Sequence, residues 1–565
     1  MARSRRLPRL LTRKRRASFA RLLLIGGLQA GMMIATALLT QRIFDGYMFA
    51  GAALAGLQEL AASLVGVAIV SAGLRWWEII EAEQLGQNYV HDVRQRLFDH
   101  LYRLDARGLQ DRGRGPLMLR FISDMTALRQ WISLGVARLT VAVVMIVGAF
   151  AVLAMMSPAL AGVVALISSL GAFGSAALGS QLENAVRRAR RRRAVLASNI
   201  AEKTAAMIVV QAHGQYRREA KRLARQSKAL VREMIGRANA IGALRAVADG
   251  AVRLTTAGVL AFGAWEVSQS SATAGTVVAA MAIVALLVPS VRDLGRVHEY
   301  WKNAAVAREK VVAFLISGPV LAERRDAAPV PDGRGEVRFV DVTLAPLNQP
   351  FSAVVAPGRH VAITGRNGSG KSTLLWLAAR LLDPGAGRVE LDGRNLKAVQ
   401  LDSLRDAIGV VSSDLPMLRG SVKRNLMYRL PRATTGDVER AWRACELDEM
   451  IESFPRGLAT RLVDDARNLS TGERMRLSLA RALLGQPRLL LLDEAEASLD
   501  AATRAILVKL VQEYRGTVLM VTHDPAMTAT ADEVWEVIDG RVSVLRSSAN
   551  PVVANVVDFK TGATP

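Results

Sequence analysis

The chain has 565 residues, 51% of them hydrophobic, with mean hydropathy +0.21 and a formal charge of +24 from 74 Lys and Arg against 50 Asp and Glu. A disordered basic tail would be poor in apolar residues, and a soluble domain averages below zero on the same hydropathy scale, so the composition excludes disorder and argues against one soluble globule. A single cysteine, Cys445, rules out an intrachain disulfide and any zinc site built from cysteines.

At roughly 150 residues per domain the length admits three or four units, or a membrane bundle followed by a soluble domain. Charge favours the second division. Residues before Gly318 hold 42 basic and 19 acidic side chains, whereas those from Gly318 onward hold 32 and 31. The excess therefore flanks long apolar runs instead of marking a soluble nucleic-acid-binding face, and no nucleic-acid partner is expected.

Met1 to Ala17 carries eight basic and no acidic residues, and the apolar run after Arg21 is too long for a typical signal peptide. We read residues 1–18 as a cytoplasmic basic segment that orients the first span. No Lys or Arg occurs between Arg42 and Arg75, between Arg138 and Arg187, or between Arg253 and Arg292, while Arg187 to Arg193 is densely basic. That alternation is the positive-inside pattern of three helical hairpins. The predicted spans are Leu22 to Thr40, Leu54 to Leu74, Leu139 to Met156, Ala159 to Leu182, Val252 to Glu266 continuing an upstream helix, and Gly275 to Val291, each near the roughly 20 residues that cross a bilayer. Ser157 and Pro158 form one outer turn and Ser268 to Gly275 another. Both termini are then cytoplasmic, in a multi-pass protein expected in a bacterial inner membrane. Trp76 and Trp77 suit an interfacial belt or ordinary core packing. Arg245, Asp249 and Arg253 share a helix face, either as a functional intramembrane group or as a solvated ion-pair ladder.

Residues 19–317 are thus an all-α transmembrane domain of six helices, 318–335 a Pro- and Gly-punctuated linker, 336–546 an α/β domain and 547–565 a tail. Within the α/β domain, the strand Val361 to Thr364 runs into Gly365, Arg366, Asn367, Gly368, Ser369, Gly370, Lys371 and Ser372, and a helix follows from Thr373. This is GxxxxGKS between strand and helix, the P-loop: glycines let successive N–H groups point into one concavity, Lys371 reaches the β- and γ-phosphates, and the Ser372 hydroxyl binds magnesium. A second apolar strand from Leu489 ends in Asp493 and Glu494. Asp493 would hold Mg²⁺ and Glu494 would polarise the attacking water. A third, Val518 to Thr522, ends in His523, placed to meet a γ-phosphate.

The run Leu469, Ser470, Thr471, Gly472, Glu473 before an Arg-rich helix resembles the LSGGQ signature of ABC-transporter ATPases. P-loop, signature, Asp493–Glu494, a D-loop at Ala497 to Asp500 and His523 follow that family's order. With six spans ahead of them, the chain resembles a type I ABC exporter half from about Phe19 to Leu545. Arg120 to Asp124 and Glu202 to Gly214 resemble the family's intracellular loops with coupling helices. The resemblance implies ATP and Mg²⁺ as cofactors, a membrane setting, and a second half-transporter, identical or different. Ser470, Thr471, Gly472 and Glu473 would then face the partner's ATP, and Asp500 would belong to the D-loop.

Three positions depart from the family pattern. Ala345 stands where an adenine-stacking aromatic is expected, unless Phe339 or Phe351 covers the base. Ser413 stands at the Q-loop glutamine, and Thr471 replaces the first signature glycine; the acidic loop at Leu462 to Asp465 is also altered. These changes suit an exporter of divergent type, or a largely structural or regulatory ATP-binding half of an asymmetric heterodimer. A soluble ABC ATPase acting on DNA or ribosomes conflicts with the spans. Nothing in the chain names a transported substrate, and the absence of a peptidase domain before the first span argues against a leader-cleaving peptide exporter.

Overall fold

The computed structural model describes residues 7–10, 12–49, 54–110, 117–118, 120–324, 326–345, 347–413, 415–463, 466–497 and 499–547. The tail after Ser547, Asp414, Asp464 and Asp465 of the altered loop, and Ser498 of the D-loop lie outside the described residues. The chain divides into two compact units, one of residues 1–99 and 114–317, the other of residues 100–113 and 318–565.

The helices of the N-terminal part are α1 (Arg13–Ile43), α2 (Leu54–Arg103), α3 (Ala106–Gln110), α4 (Arg120–Met156), α5 (Pro158–Ala205), α6 (Met207–Ala212), α7 (Tyr216–Ser268) and α8 (Ala274–Ile316). Four of them, α1, α2, α4 and α5, are long and apolar enough to cross a membrane, and α8 adds the shorter apolar stretch Ala274–Val288. The fifth expected span is present as helix at the end of α7, but Arg253 and Glu266 bracket only a short apolar run there. The α4–α5 turn has a local cause. Ser157 is extended, its hydroxyl accepts from the Leu160 N–H at 3.1 Å, and Pro158 occupies the first helical position, where no N–H is needed. Thr273 caps α8 in the same way, accepting from the Thr276 N–H at 3.1 Å.

Small residues set the helix spacing. A Cβ on Gly171 of α5 would lie 2.5 Å from the Ala251 Cβ of α7, and one on Gly263 of α7 would lie 2.7 Å from Val277 of α8, so these backbones approach as only glycine permits. Charged groups between helices are paired: buried Glu78 accepts from Gln29 at 3.0 Å and from Arg75 at 2.7 Å, and buried Glu81 faces Arg21 at 3.1 Å. Glu266 accepts from the Ser157 hydroxyl at 3.0 Å, tying the far ends of α5 and α7 together. Trp76 and Trp77 point outward, 69% and 39% exposed, which removes core packing within this chain as their role. Arg245 and Arg253 are exposed and Asp249 is half-buried.

The second unit is built on β1 (Val337–Leu344), β2 (Leu347–Val355), β3 (His360–Gly365), β4 (Ala386–Leu391), β5 (Arg394–Asn395), β6 (Ile408–Ser412), β7 (Gly420–Ser421), β8 (Arg461–Leu462), β9 (Leu489–Asp493), β10 (Thr517–Val521), β11 (Glu533–Ile538) and β12 (Arg541–Ser547). A six-stranded sheet runs β12-β11-β3-β10-β9-β6, a four-stranded one β2-β1-β4-β5. Strands β9 and β10 are buried at every position. Their apolar runs, Leu489 to Leu492 and Val518 to Val521, are what a parallel strand covered on both faces requires. Strands β11, β3, β10, β9 and β6 are mutually parallel, with Val521 level with both Asp493 and Ile363, and Ser412 level with Asp493. The C-terminal ends of β3, β10, β9 and β6 therefore form one edge, where ligands of open parallel sheets bind.

Candidate nucleotide site

The P-loop leaves β3 at Gly365, whose φ of 138° and whose lack of a side chain are both needed, because a Cβ there would sit 2.3 Å from the Val537 carbonyl oxygen. The loop closes into the helix Lys371–Ala378 through Gly370, also at positive φ. Lys371 is 5% exposed, and its Nζ donates to the carbonyls of Gly365 at 2.8 Å and Arg366 at 3.1 Å. Arg366, Asn367 and Gly368 form the exposed tip, and the buried Ser369 hydroxyl has no hydrogen-bond partner among the described residues. A buried ammonium held by loop carbonyls, an unsatisfied hydroxyl and helix N–H groups turned the same way suit a polyphosphate.

Asp493 ends β9 beside this loop, and the Ser372 hydroxyl donates to its Oδ1 at 2.9 Å. A hydroxyl and a carboxylate within contact distance form part of the oxygen donor set that a hard divalent cation takes, phosphate oxygens and water supplying the remainder. Among the described residues no cluster of three or more His, Cys, Asp or Glu side chains could hold a metal without such help. Glu494 follows in the left-handed region at φ 48°, its N–H donating to the Val521 carbonyl at 3.0 Å. Such a backbone costs about 1 to 3 kcal/mol and re-aims the side chain out of the strand's alternation. His523 and Ser413 follow the ends of β10 and β6 and are exposed.

Ser470 and Glu473 form a capping box at the start of the helix Thr471–Leu483: the Ser470 hydroxyl accepts from the Glu473 N–H at 3.2 Å, and the Glu473 carboxylate accepts from the Ser470 N–H at 2.7 Å. The Thr471 hydroxyl accepts from Arg474 at 3.3 Å. Gly472 abuts the D-loop, since a Cβ there would lie 2.7 Å from the Thr503 hydroxyl and 3.3 Å from Asp500. A hydrogen bond from Thr503 holds the Asp500 carboxyl below the usual range.

Three families of observation now meet: a P-loop, a capped signature helix and a membrane-long helical unit ahead of them. Residues 22–291 match the family model of the ABC transporter transmembrane region, and residues 349–497 match that of the ABC transporter. The chain belongs to the ABC transporters. A solved bacterial Atm1-family ABC exporter with ATP bound has the same fold at a TM-score of 0.81 and 21% identity, over 93% of this chain and 94% of that one. A Bacillus subtilis protein called an uncharacterized ABC transporter ATP-binding protein is 27% identical over 83% of this chain and 78% of its own length. A Mycobacterium tuberculosis multidrug efflux ATP-binding/permease protein is 29% identical over 92% of this chain, which spans 44% of that relative. A Mycobacterium bovis fatty acid ABC transporter ATP-binding/permease protein is 26% identical over 87% of this chain and 79% of its own length. This ABC transporter is an integral membrane protein with a helical membrane domain followed by an α/β ATPase domain, and it has the fold of a type I exporter.

Several residues of the site gave no signal in the ABC transporter's sequence. Buried Glu496 accepts hydrogen bonds from the Thr522 hydroxyl and, at 3.2 Å, from the His523 N–H. Arg504 pairs with Asp524 at 3.3 Å, joining the D-loop helix to the segment after β10. Arg120 to Asp124, which resembles one of the family's intracellular loops, forms a π-helical turn at the start of α4, and among the described residues before it α3 belongs to the ATPase unit. Glu202 to Gly214 does contain a short separate helix, α6, with Met207, Ile208 and Val209 exposed.

Proposed function

We propose that this chain is one half of a dimeric exporter that hydrolyses Mg-ATP at sites shared between two subunits. The observation that carries the reading is the common edge of the adjacent parallel strands β3, β10 and β9, which is followed or ended by Lys371 and Ser372 after the P-loop, by Asp493 and Glu494, and by His523. In this reading Lys371 compensates the β/γ charge, and Ser372 and Asp493 would hold a magnesium ion, which when bound would supply counter-charge to the phosphate oxygens. Glu494 orients and polarises the attacking water, and His523 meets the γ-phosphate. Ser470 and its neighbours close over the partner's nucleotide, so that ATP binds the closed pair better than the open one and the differential affinity drives the membrane helices between two states. The outward Met207, Ile208 and Val209 of α6 gain a surface to cover in such a dimer.

The intervals free of Lys and Arg favour six spans with both termini in the cytoplasm of a bacterial cell. Relatives named for multidrug efflux and fatty acid transport favour a lipophilic, amphipathic cargo. The test is reconstitution of the purified chain in liposomes, with ATPase rate, assembly size and stimulation by amphipathic compounds measured together. A chain that stays monomeric and hydrolyses no ATP would defeat the homodimer form. Ala345, Ser413 and Thr471 favour a second reading, a weakly hydrolysing half of a heterodimer, which predicts full turnover only after a paralogous subunit is added.

A further inference from the structure

Ala345 lies exposed at the end of β1 and brings no ring to a base. Neither of the nearby phenylalanines can replace it. Phe339 is 1% and Phe351 8% exposed, and both are spent on each other and on Trp535 in the core, with ring centroids 5.5 to 6.2 Å apart. What does lie against Ala345 is Arg107 of α3. Its guanidinium donates to the Ala345 carbonyl and stands 3.5 Å from the Thr373 hydroxyl, in the first turn of the P-loop helix. The side chain thus bridges the strand end where a base would rest and the turn where its phosphates begin.

The backbone that presents Arg107 is firmly held in the ATPase unit. The Leu321 N–H donates to the Arg103 carbonyl at 2.8 Å, the Asp105 N–H to Pro319 at 3.3 Å, and the Ala106 N–H to Leu381 at 2.9 Å. Asp105, itself buried, accepts from the Gly108 N–H at 2.7 Å and fixes the turn that carries the arginine. A guanidinium is planar, weakly hydrated and able to keep an edge on a carbonyl while laying its face on an aromatic ring.

We propose that Arg107 covers the adenine in this chain's nucleotide site, doing from the loop after α2 what an aromatic at position 345 would otherwise do. The inference rests on the ATP site proposed above. It makes the grip on the base depend on a segment that continues directly from α2, and it makes that grip tolerant of which purine is bound, because a guanidinium face stacks on any base.

The test measures equilibrium binding of ATP and of tripolyphosphate to the full-length protein in lipid nanodiscs, with divalent ions chelated so that nothing is hydrolysed. Arg107→Ala should weaken ATP about 3- to 30-fold and leave tripolyphosphate unchanged, the latter also reporting a folded site. Arg107→Lys, which keeps charge but not the plane, should bind ATP as poorly as the alanine variant. Ala345→Tyr should gain nothing while Arg107 is present, and should restore ATP affinity in Arg107→Ala. Equal loss of both ligands would make Arg107 a phosphate contact and overturn the proposal, as would unchanged or tighter ATP binding, or full binding by the lysine variant. If the wild-type chain binds no ATP, the proposed function falls together with the inference; if it binds ATP and only the Arg107 results fail, the function stands.

Discussion

The carboxylate of Glu496, two residues beyond Glu494, accepts a hydrogen bond from the backbone N–H of His523 at 3.2 Å and another from the neighbouring Thr522 hydroxyl. The segments that leave β9 and β10 are thereby fixed to each other, although the side chains expected to work there belong to different strands. Glu496→Ala leaves the buried Thr522 hydroxyl and the partly buried His523 N–H without their acceptor, at a cost of about 1 to 3 kcal/mol. Thermal unfolding should show that loss, and ATP turnover should fall with nucleotide binding retained. Wild-type stability in the variant would mean that another group satisfies His523.

Lys371→Ala should abolish ATP-dependent transport, because a triphosphate in the loop would lose its buried counter-charge. Glu494→Gln should keep ATP binding and slow hydrolysis by about 10² to 10⁴. Undiminished turnover by the glutamine variant, assayed with no other ATPase present, would take the general-base role away from Glu494.

Gly472→Ala places a methyl group 2.7 Å from the Thr503 hydroxyl. Overpacking of this kind costs about 1 to 3 kcal/mol, and here the strain falls between the signature helix and the D-loop helix. ATPase activity should drop, and Thr503→Ala in the same chain should recover part of it. No recovery in the double variant would show that the two helices are not in contact during turnover.

Topology can be read with a thiol probe. Cys445 is fully buried and burial pushes its thiol far above the usual range, so it should stay unlabelled in the folded protein even before replacement by serine. Ser271→Cys, exposed in the α7–α8 turn, should react with an impermeant reagent added outside intact cells, and Arg191→Cys should not. Reversed labelling would overturn both the orientation and the direction of transport.

Much of the ATPase half is legible in the chain because its strands are buried on both faces and end in residues with a specific chemistry, as β9 does at Asp493. The P-loop glycines are equally legible, since their spacing follows from backbone geometry. Glu496 and Arg107 are not. Glu496 acts through a strand neighbour that only the sheet order brings near, and Arg107 reaches Ala345 from 238 residues away. The same limit applies to α3, which is five residues long and too short for periodicity to reveal, whereas Arg120 to Asp124 carries a family-like motif. The fifth expected span rests on charge spacing alone, because hydropathy is weak there and Arg253 and Glu266 bracket only a short apolar run.

Helices α5 and α7 are 48 and 53 residues long, so each extends about 70 to 80 Å. They touch through Gly171 and Ala251, are latched at one end by Ser157 and Glu266, and carry α6 at the other. Such a pair acts as an oar. Glycine at the seam brings the two backbones together, and Arg188 pairs with Glu233 across the same helices at 3.2 Å, so a push at the blade would carry both helices together. A 5 Å stroke at α6 corresponds to a turn of only about 4° along the shaft. Leverage of that ratio lets a displacement at α6 be felt near the Ser157 end as a small change of angle, with every helical hydrogen bond kept.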